Sequence, residues 1–278
     1  MKAPDPRLTL ALGDLASADL EGIVRAGRYI KPLTLRCTAP AAAVRYTADA
    51  GSDQRDQLLY GEMFDVLDEA HGWAWGQARR DGYVGFVKRA ALGEPGPAPT
   101  HRVSALRAYA FAAPDLKAPA AGPLTLNSLV TLGPRRDRFA MAQGLGWMFE
   151  HQLTAVGRFE ADFVAVAERF VGAGYLWGGR EADGLDCSGL VQQAMFACGR
   201  SCPRDTDQQQ VLGAPVEAEA LRRGDLVFWP GHVAIMLDRR RIVHASGHHG
   251  AVVVEFLAGA ITRIVAAGAG RPTAHRRP

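Results

Sequence analysis

The chain has 278 residues, 48% hydrophobic and 22% charged, with a formal net charge of +3. That length exceeds one average domain and the balance is ordinary for a folded protein, so two or three units with their own cores are expected. Much of the small positive excess lies in short Arg clusters such as the C-terminal RRP, which lack the concentrated basic face of a nucleic-acid binder.

At the N-terminus the apolar run LTLALG is short and an aspartate follows it, so an export signal is not expected. No stretch approaches roughly 18 uninterrupted apolar residues, so no membrane span is expected either. The cytoplasm is the expected compartment. Residues 1–32 read as an arm with one or two helical turns around DLASADLEGIVRAG. Short strands then alternate with Gly and Asp turns: Phe64 to Leu67, Trp73 to Gln77 and Tyr83 to Lys88. GEPGPAP, residues 93–99, is a turn-rich linker. A second all-β stretch follows, with pieces near Val103 to Phe111, Leu124 to Leu132, Arg138 to Ala142 and Gly146 to Phe149. Gly85-Phe86-Val87 precedes Leu92 by the spacing at which Gly146-Trp147-Met148 precedes Leu153, an echo that two copies of a small β-barrel would produce.

From about residue 158 the pattern turns helical. EADFVAVAERFVG sets Phe163, Val166, Ala167, Phe170 and Val171 on one face, and CSGLVQQAMFAC does the same with Leu190, Val191, Ala194 and Cys198. After RRGD the texture is β again in LVFW, HVAIML, RIVHAS and AVVVEF. Helices first and an antiparallel meander afterwards define an α+β domain.

The four cysteines, Cys37, Cys187, Cys198 and Cys202, are too few for a disulfide scaffold. Cys198 and Cys202 form a C-x₃-C pair with no second pair of ligands nearby, so no structural zinc site is expected. With Cys37 they read as buried or half-buried thiols of a reducing compartment. Cys187 is different. Asp186 is a good N-cap, which puts Cys187 in the first turn of a helix, where unpaired N–H groups and the dipole lower a thiol pKa. A nucleophilic cysteine also needs a base and a group to orient it. His232 in WPGHVAIML and His244 in RIVHASG sit on strand-like segments spaced as neighbours in one hairpin. Either histidine alone reads equally as a core or rim residue, as do the histidines at 71, 101, 151, 248, 249 and 275.

GYLWGGREADGLDCSGLVQQA, PRDTDQQ, LRRGDLVFWPGHVAIML and IVHASG, in that order over residues 158–265, resemble the NlpC/P60 family of cysteine peptidases. The resemblance implies an α+β, papain-like core over residues 158–278, with Cys187 as nucleophile, His232 as base and His244 as the residue that orients the base. It implies no metal and no cofactor. The implied partner is a bacterial cell-wall (murein) peptide, cut between γ-D-glutamate and a diamino acid. GEMFDVLDEAHGWAWGQARRDGYVGFVKRA is similar to bacterial SH3-like domains. Two small all-β SH3-like barrels are therefore expected, at residues 33–97 and 98–157, ahead of the core. That arrangement resembles the branch that trims short, free cell-wall peptides bearing an N-terminal L-alanine, a recycling role inside the cell.

Further residues follow from the same alignment of motifs. Tyr175 matches the family's tyrosine near the site and is either an oxyanion or substrate donor or a packed aromatic; Trp177 reads as a packing residue. Ser188 and Thr206 are candidates for the D-glutamate carboxylate, or else helix and turn caps. Arg204 and Asp205 read as a structural ion pair, and Asp225 as a turn residue before a strand. A free L-alanine ammonium, once buried, needs carboxylates. Asp186 and Glu62 are the candidates, with Tyr83 as a wall of that pocket; Glu62 reads equally as a solvated charge at a strand end. Rival readings keep the core and change the reaction to that of an amidase or a lipid acyltransferase, or make the chain a wall-binding module whose core has decayed. The presence of both Cys187 and His232 argues against decay.

Overall fold

Glycine and aspartate turns cut the first half of the chain into short strands. The computed structural model describes residues 4–278, and the chain divides into two units, Met1–Val156 and Gly157–Pro278. Among the described residues no helix is long and apolar enough to cross a membrane, which says nothing of β-barrels.

The arm is not helical. Strands Ala11–Leu12, Leu15–Ser17 and Arg28–Ile30 form a small sheet, with one 3₁₀ turn at Ala18–Leu20. Gly13 and Gly22 take positive φ of 58° and 79°, leaving too few residues between them for a helix to nucleate. The Asp14 carboxylate then accepts the Gly27 N–H at 2.6 Å and closes the loop.

Next comes a seven-stranded antiparallel sheet in the order 92–93, 33–37, 63–70, 73–78, 84–88, 41–45 and 54–59. Alternation buries Leu35, Cys37, Val44, Leu58, Phe64, Val66 and Val87 in one cluster. Residues 101–155 form a three-stranded and a five-stranded sheet around Val103, Ala108, Leu124, Val130 and Met148. The sequence echo has a structural counterpart. Strand Val84–Lys88 runs through the 3₁₀ turn Arg89–Ala91 into a strand beginning at Leu92, and Gly146–Phe149 runs through Glu150–Gln152 into one beginning at Leu153. Tyr60 joins the second of these cores, and its carbonyl accepts the Leu129 N–H at 2.8 Å.

In the second unit the helices are α1 (Phe163–Glu168), α2 (Cys187–Ala197), α3 (Thr206–Gln209) and α4 (Leu257–Ala266). Its strands are β1 (Gly174–Tyr175), β2 (Arg180–Glu181), β3 (Gly184–Leu185), β4 (Ala214–Pro215), β5 (Leu226–Trp229), β6 (His232–Met236), β7 (Arg241–Ser246), β8 (Ala251–Phe256) and β9 (Ala274–Arg277). They make one nine-stranded sheet in the order β2-β3-β1-β8-β7-β6-β5-β9-β4. Every residue of α2 is buried, so it is a core helix rather than a one-sided one, and it packs against β6 and β7. In α1 the expected apolar face is buried except Val171, which lies beyond the helix and is exposed. Leu257, Ala260, Ile261 and Ile264 of α4 follow an i, i+3, i+4, i+7 stripe onto Val227, Trp229, Ala234, Met236 and Ile242.

Candidate active site

Asp186 builds the site from the start of α2. As N-cap, its Oδ1 accepts the Gly189 N–H at 2.7 Å, while Oδ2 accepts the Gly178 N–H at 2.8 Å. Arg204, almost wholly buried, closes on the same carboxylate with both terminal nitrogens, at 3.1 and 2.6 Å. Ser188 Oγ donates to Asp186 Oδ1 at 3.2 Å and accepts from Arg204 at 2.8 Å. The structural ion pair joins Arg204 to Asp186. Asp205 is instead the N-cap of α3, in a capping box with Gln208. This network fixes the first turn of α2, where the Cys187 N–H has no intrahelical partner.

The Cys187 thiol is buried, 4% exposed. Its Sγ lies 3.8 Å from Thr206 Oγ1 and 3.9 Å from the Gly231 carbonyl, and the Val233 N–H bonds to it. The residues on either side of His232 thus both touch the thiol. Burial pushes the thiol up to about 11 and the Asp186 charge adds to that; the bonds from Val233 and Thr206 and the Arg204 charge pull the other way without prevailing. The sequence reading expects a depressed thiol pKa at a helix start; burial, the largest cause here, raises it instead.

His232 opens β6, and the register that sets Met236 opposite Ile242 makes His244 its diagonal neighbour on β7. His232 Nε2 and His244 Nδ1 are 2.7 Å apart. Burial, then the Arg263 charge, lowers His232 to about 4. Burial lowers His244 to about 2, with further contributions from His232, Arg263 and His249. Both rings are neutral at pH 7.

Tyr175, on β1, packs its ring against Gly247. Burial and then the nearby Cys187 and Asp186 raise its phenol, so it stays a donor. Trp177 is not packed as expected but 60% exposed. Asp225 is no simple turn residue: it is fully buried and accepts from Arg277 Nε and Nη2 at 2.8 and 2.9 Å, which fastens the C-terminal strand β9. The structure thus gathers Tyr175, Asp186, Cys187, Ser188, Thr206, His232 and His244 in the second unit. Glu62 and Tyr83 belong to the first. Glu62 is buried rather than solvated, accepting from Leu59 N at 3.0 Å and from Arg80 Nε at 2.9 Å. Tyr83, also buried, lines a cavity of about 210 Å³ with Arg7, Arg45, Arg55, Tyr46 and Trp75.

Glu255 and Arg263 were not expected. Glu255 Oε1 is 2.8 Å from His244 Nε2, and Arg263 pairs with the same carboxylate. An acid within AVVVEF was the only signal in the sequence. Among the described residues, His244, His249 and Glu255 have ligand atoms within 4.8 Å of one another, the spacing of a metal site. The Arg263 guanidinium on Glu255 opposes a cation there, and His244 already spends both nitrogens on hydrogen bonds.

A buried cysteine at a capped helix start, with paired histidines on adjacent strands, is the kind of residue set that cysteine peptidases use. The NlpC/P60 family profile matches residues 172–268, and the profile of the bacterial dipeptidyl-peptidase SH3 domain matches residues 44–92. The γ-D-glutamyl-L-lysine dipeptidyl-peptidase of Bacillus subtilis is 30% identical over 213 residues, 68% of this chain and 71% of that protein. Dipeptidyl-peptidase 6 of Lysinibacillus sphaericus is 37% identical over 91 residues, 32% of this chain and only 33% of that relative. The fold is shared with the crystal structure of an NlpC/P60 family protein from Bacillus cereus, at a TM-score of 0.74 and 19% identity, covering 88% of this chain and 99% of that one. The chain belongs to the NlpC/P60 peptidase family and carries an SH3 domain ahead of the peptidase domain.

Proposed function

We propose that this protein is a cysteine endopeptidase that hydrolyses the γ-D-glutamyl-L-diamino acid bond of murein peptides with a free N-terminal L-alanine. The observation that carries this reading is the extent of the match to the Bacillus subtilis dipeptidyl-peptidase. At 213 residues it is too long for the peptidase domain alone and must run into the upstream β modules. We read those modules, residues 33–97 and 98–157, as two SH3-like barrels, supported by the repeated strand–3₁₀–strand step, and residues 158–278 as a papain-like core. Small free peptides fit a recycling role in the cytoplasm.

Cys187 is the nucleophile, His232 the base and His244 the residue that orients it. With the thiol near 11 and His232 near 4, the resting pair is neutral. The thiolate therefore forms during attack: the thiol proton passes to His232 Nδ1, because Nε2 is held by His244. Sulfur bonds to the γ-carbonyl carbon, and the oxyanion takes the Cys187 N–H and the Tyr175 hydroxyl. His232 returns the proton to the leaving amine, and water then hydrolyses the thioester. Thr206 and Ser188 are assigned to the D-glutamate carboxylate and Asp186 to the L-alanine ammonium. Asp186 already holds Arg204, so an ammonium would share its carboxylate.

The test is incubation with L-Ala-γ-D-Glu-L-Lys and mass analysis of the products. The expected products are L-Ala-γ-D-Glu and lysine, with no turnover by Cys187→Ala and none of the N-acetylated peptide. Efficient cleavage of N-blocked peptides or of intact wall polymer would overturn the reading.

A further inference from the structure

The hydrogen bonds of the two histidines do not end at His244. His232, His244 and Glu255 lie on the adjacent strands β6, β7 and β8, and each step between them is a diagonal one, since His244 faces Val253 and Ile242 faces Glu255. An ionised carboxylate only accepts, so the proton between His244 and Glu255 sits on His244 Nε2. A neutral His244 then has a bare Nδ1, which accepts the proton on His232 Nε2. His232 Nδ1 is left with its lone pair, the state a base must have to receive the Cys187 proton. Reversing the tautomer of His244 would make it a donor to His232 and put the His232 proton on Nδ1, which blocks that transfer.

We infer that Glu255, held by Arg263, is a positioning residue that fixes the tautomers of His244 and His232 and so leaves His232 Nδ1 free to take the thiol proton. This rests on the assignment of Cys187, His232 and His244 made above. The step is a plain proton transfer: the S–H bond breaks, an N–H bond forms on Nδ1, and no electron donor or acceptor enters. Arg263 has a second effect of opposite sign. Its charge lowers both histidines, and its guanidinium pairs with the Glu255 carboxylate. The charged and titratable groups facing His244 are His232 from β6, Glu255 from β8, Arg263 from α4 and His249 from the turn after β7.

The experiment compares Glu255→Leu, Glu255→Gln and Arg263→Gln in the full chain. It reads kcat and KM for L-Ala-γ-D-Glu-L-Lys, the acid limb of kcat/KM against pH, and thermal unfolding. Glu255→Leu should lower kcat roughly 10- to 100-fold with little change in KM, as loss of a partner that orients a functional histidine does elsewhere. Glu255→Gln should recover part of that, because its amide oxygen still accepts from His244 Nε2. In both, the unbalanced Arg263 moves the acid limb to lower pH; in Arg263→Gln the limb moves to higher pH. A folded Glu255→Leu enzyme with unchanged kcat and acid limb overturns the inference. So does equal impairment of the Leu and Gln variants with an unmoved limb, the mark of a purely structural role. If Glu255→Leu fails to fold, Glu255→Gln and Arg263→Gln decide, and limbs moving together or not at all overturn it. The underlying assignment is checked separately on the wild type. If the wild type neither cleaves the peptide nor shows faster iodoacetamide alkylation at Cys187 than at Cys198 or Cys202, that assignment fails and this inference falls with it.

Discussion

Arg204 shows what a single residue contributes that its neighbours in sequence do not reveal. PRDT invites a pair between Arg204 and Asp205, yet the guanidinium reaches 18 residues back to Asp186 and caps α2 from behind. Both partners are buried, so removing one strands a charge away from water. Arg204→Met should lower stability by about 3–5 kcal/mol, read from urea unfolding of the second unit. An unchanged midpoint would mean the pair is solvated. The helix start at Cys187 and the strands that carry His232 and His244 were legible because their signals are local: a cap before a helix and histidines in strand-like runs. Glu255 was not, because its partners lie on β7 and α4 and only the strand register brings them together. The thiol pKa was misread for a related reason. The helix start is visible in sequence, but burial by Thr206, Gly231 and Val233 is not.

At the scale of elements, alternation revealed the strands of the first unit and most of the meander in the second, while the arm misled. A few residues between glycines cannot propagate a helix, and the charged AHRR, which no alternation marked, pairs with β5 and β4 while buried Asp225 holds Arg277. Helix α2 carries the clearest consequence. Glycine within a helix costs about 1 kcal/mol relative to alanine, so Gly189→Ala should help by propensity alone. A Cβ there would sit 2.3 Å from the Gly179 carbonyl and 3.0 Å from Asp186 Oδ1. The same turn supplies the Gly178 N–H that caps Asp186. Gly189→Ala should therefore destabilise by roughly 1–3 kcal/mol and lower kcat together, as the start of α2 is pushed off its turn. Thermal melts with turnover on the same sample check this, and a variant as stable and active as the wild type would contradict it.

For the molecule as a whole, the buried histidines tie stability to pH. His232 at about 4 and His244 at about 2 lie below their ordinary 6.5, so the unfolded chain binds more protons than the folded one between those values. Their contribution is fully present above about pH 6.5 and is lost as pH falls toward 4, by up to about 3 kcal/mol for each histidine. Hydrogen-exchange protection factors at β6 and β7, taken relative to the intrinsic rate at each pH, should fall between pH 6.5 and 4.5 in the wild type and less so in His244→Gln; equal pH dependence in both would remove the histidines as the cause. The central claim is that the buried Cys187 thiol becomes the acyl carrier of a γ-glutamyl peptide. Its most direct test is an acid quench during turnover of L-Ala-γ-D-Glu-L-Lys, followed by peptide mapping by mass. An L-Ala-γ-D-Glu thioester on Cys187, absent from Cys187→Ala and much reduced in His232→Gln, is the predicted result. Continued turnover by Cys187→Ala, or an acyl adduct on a residue other than Cys187, would contradict it.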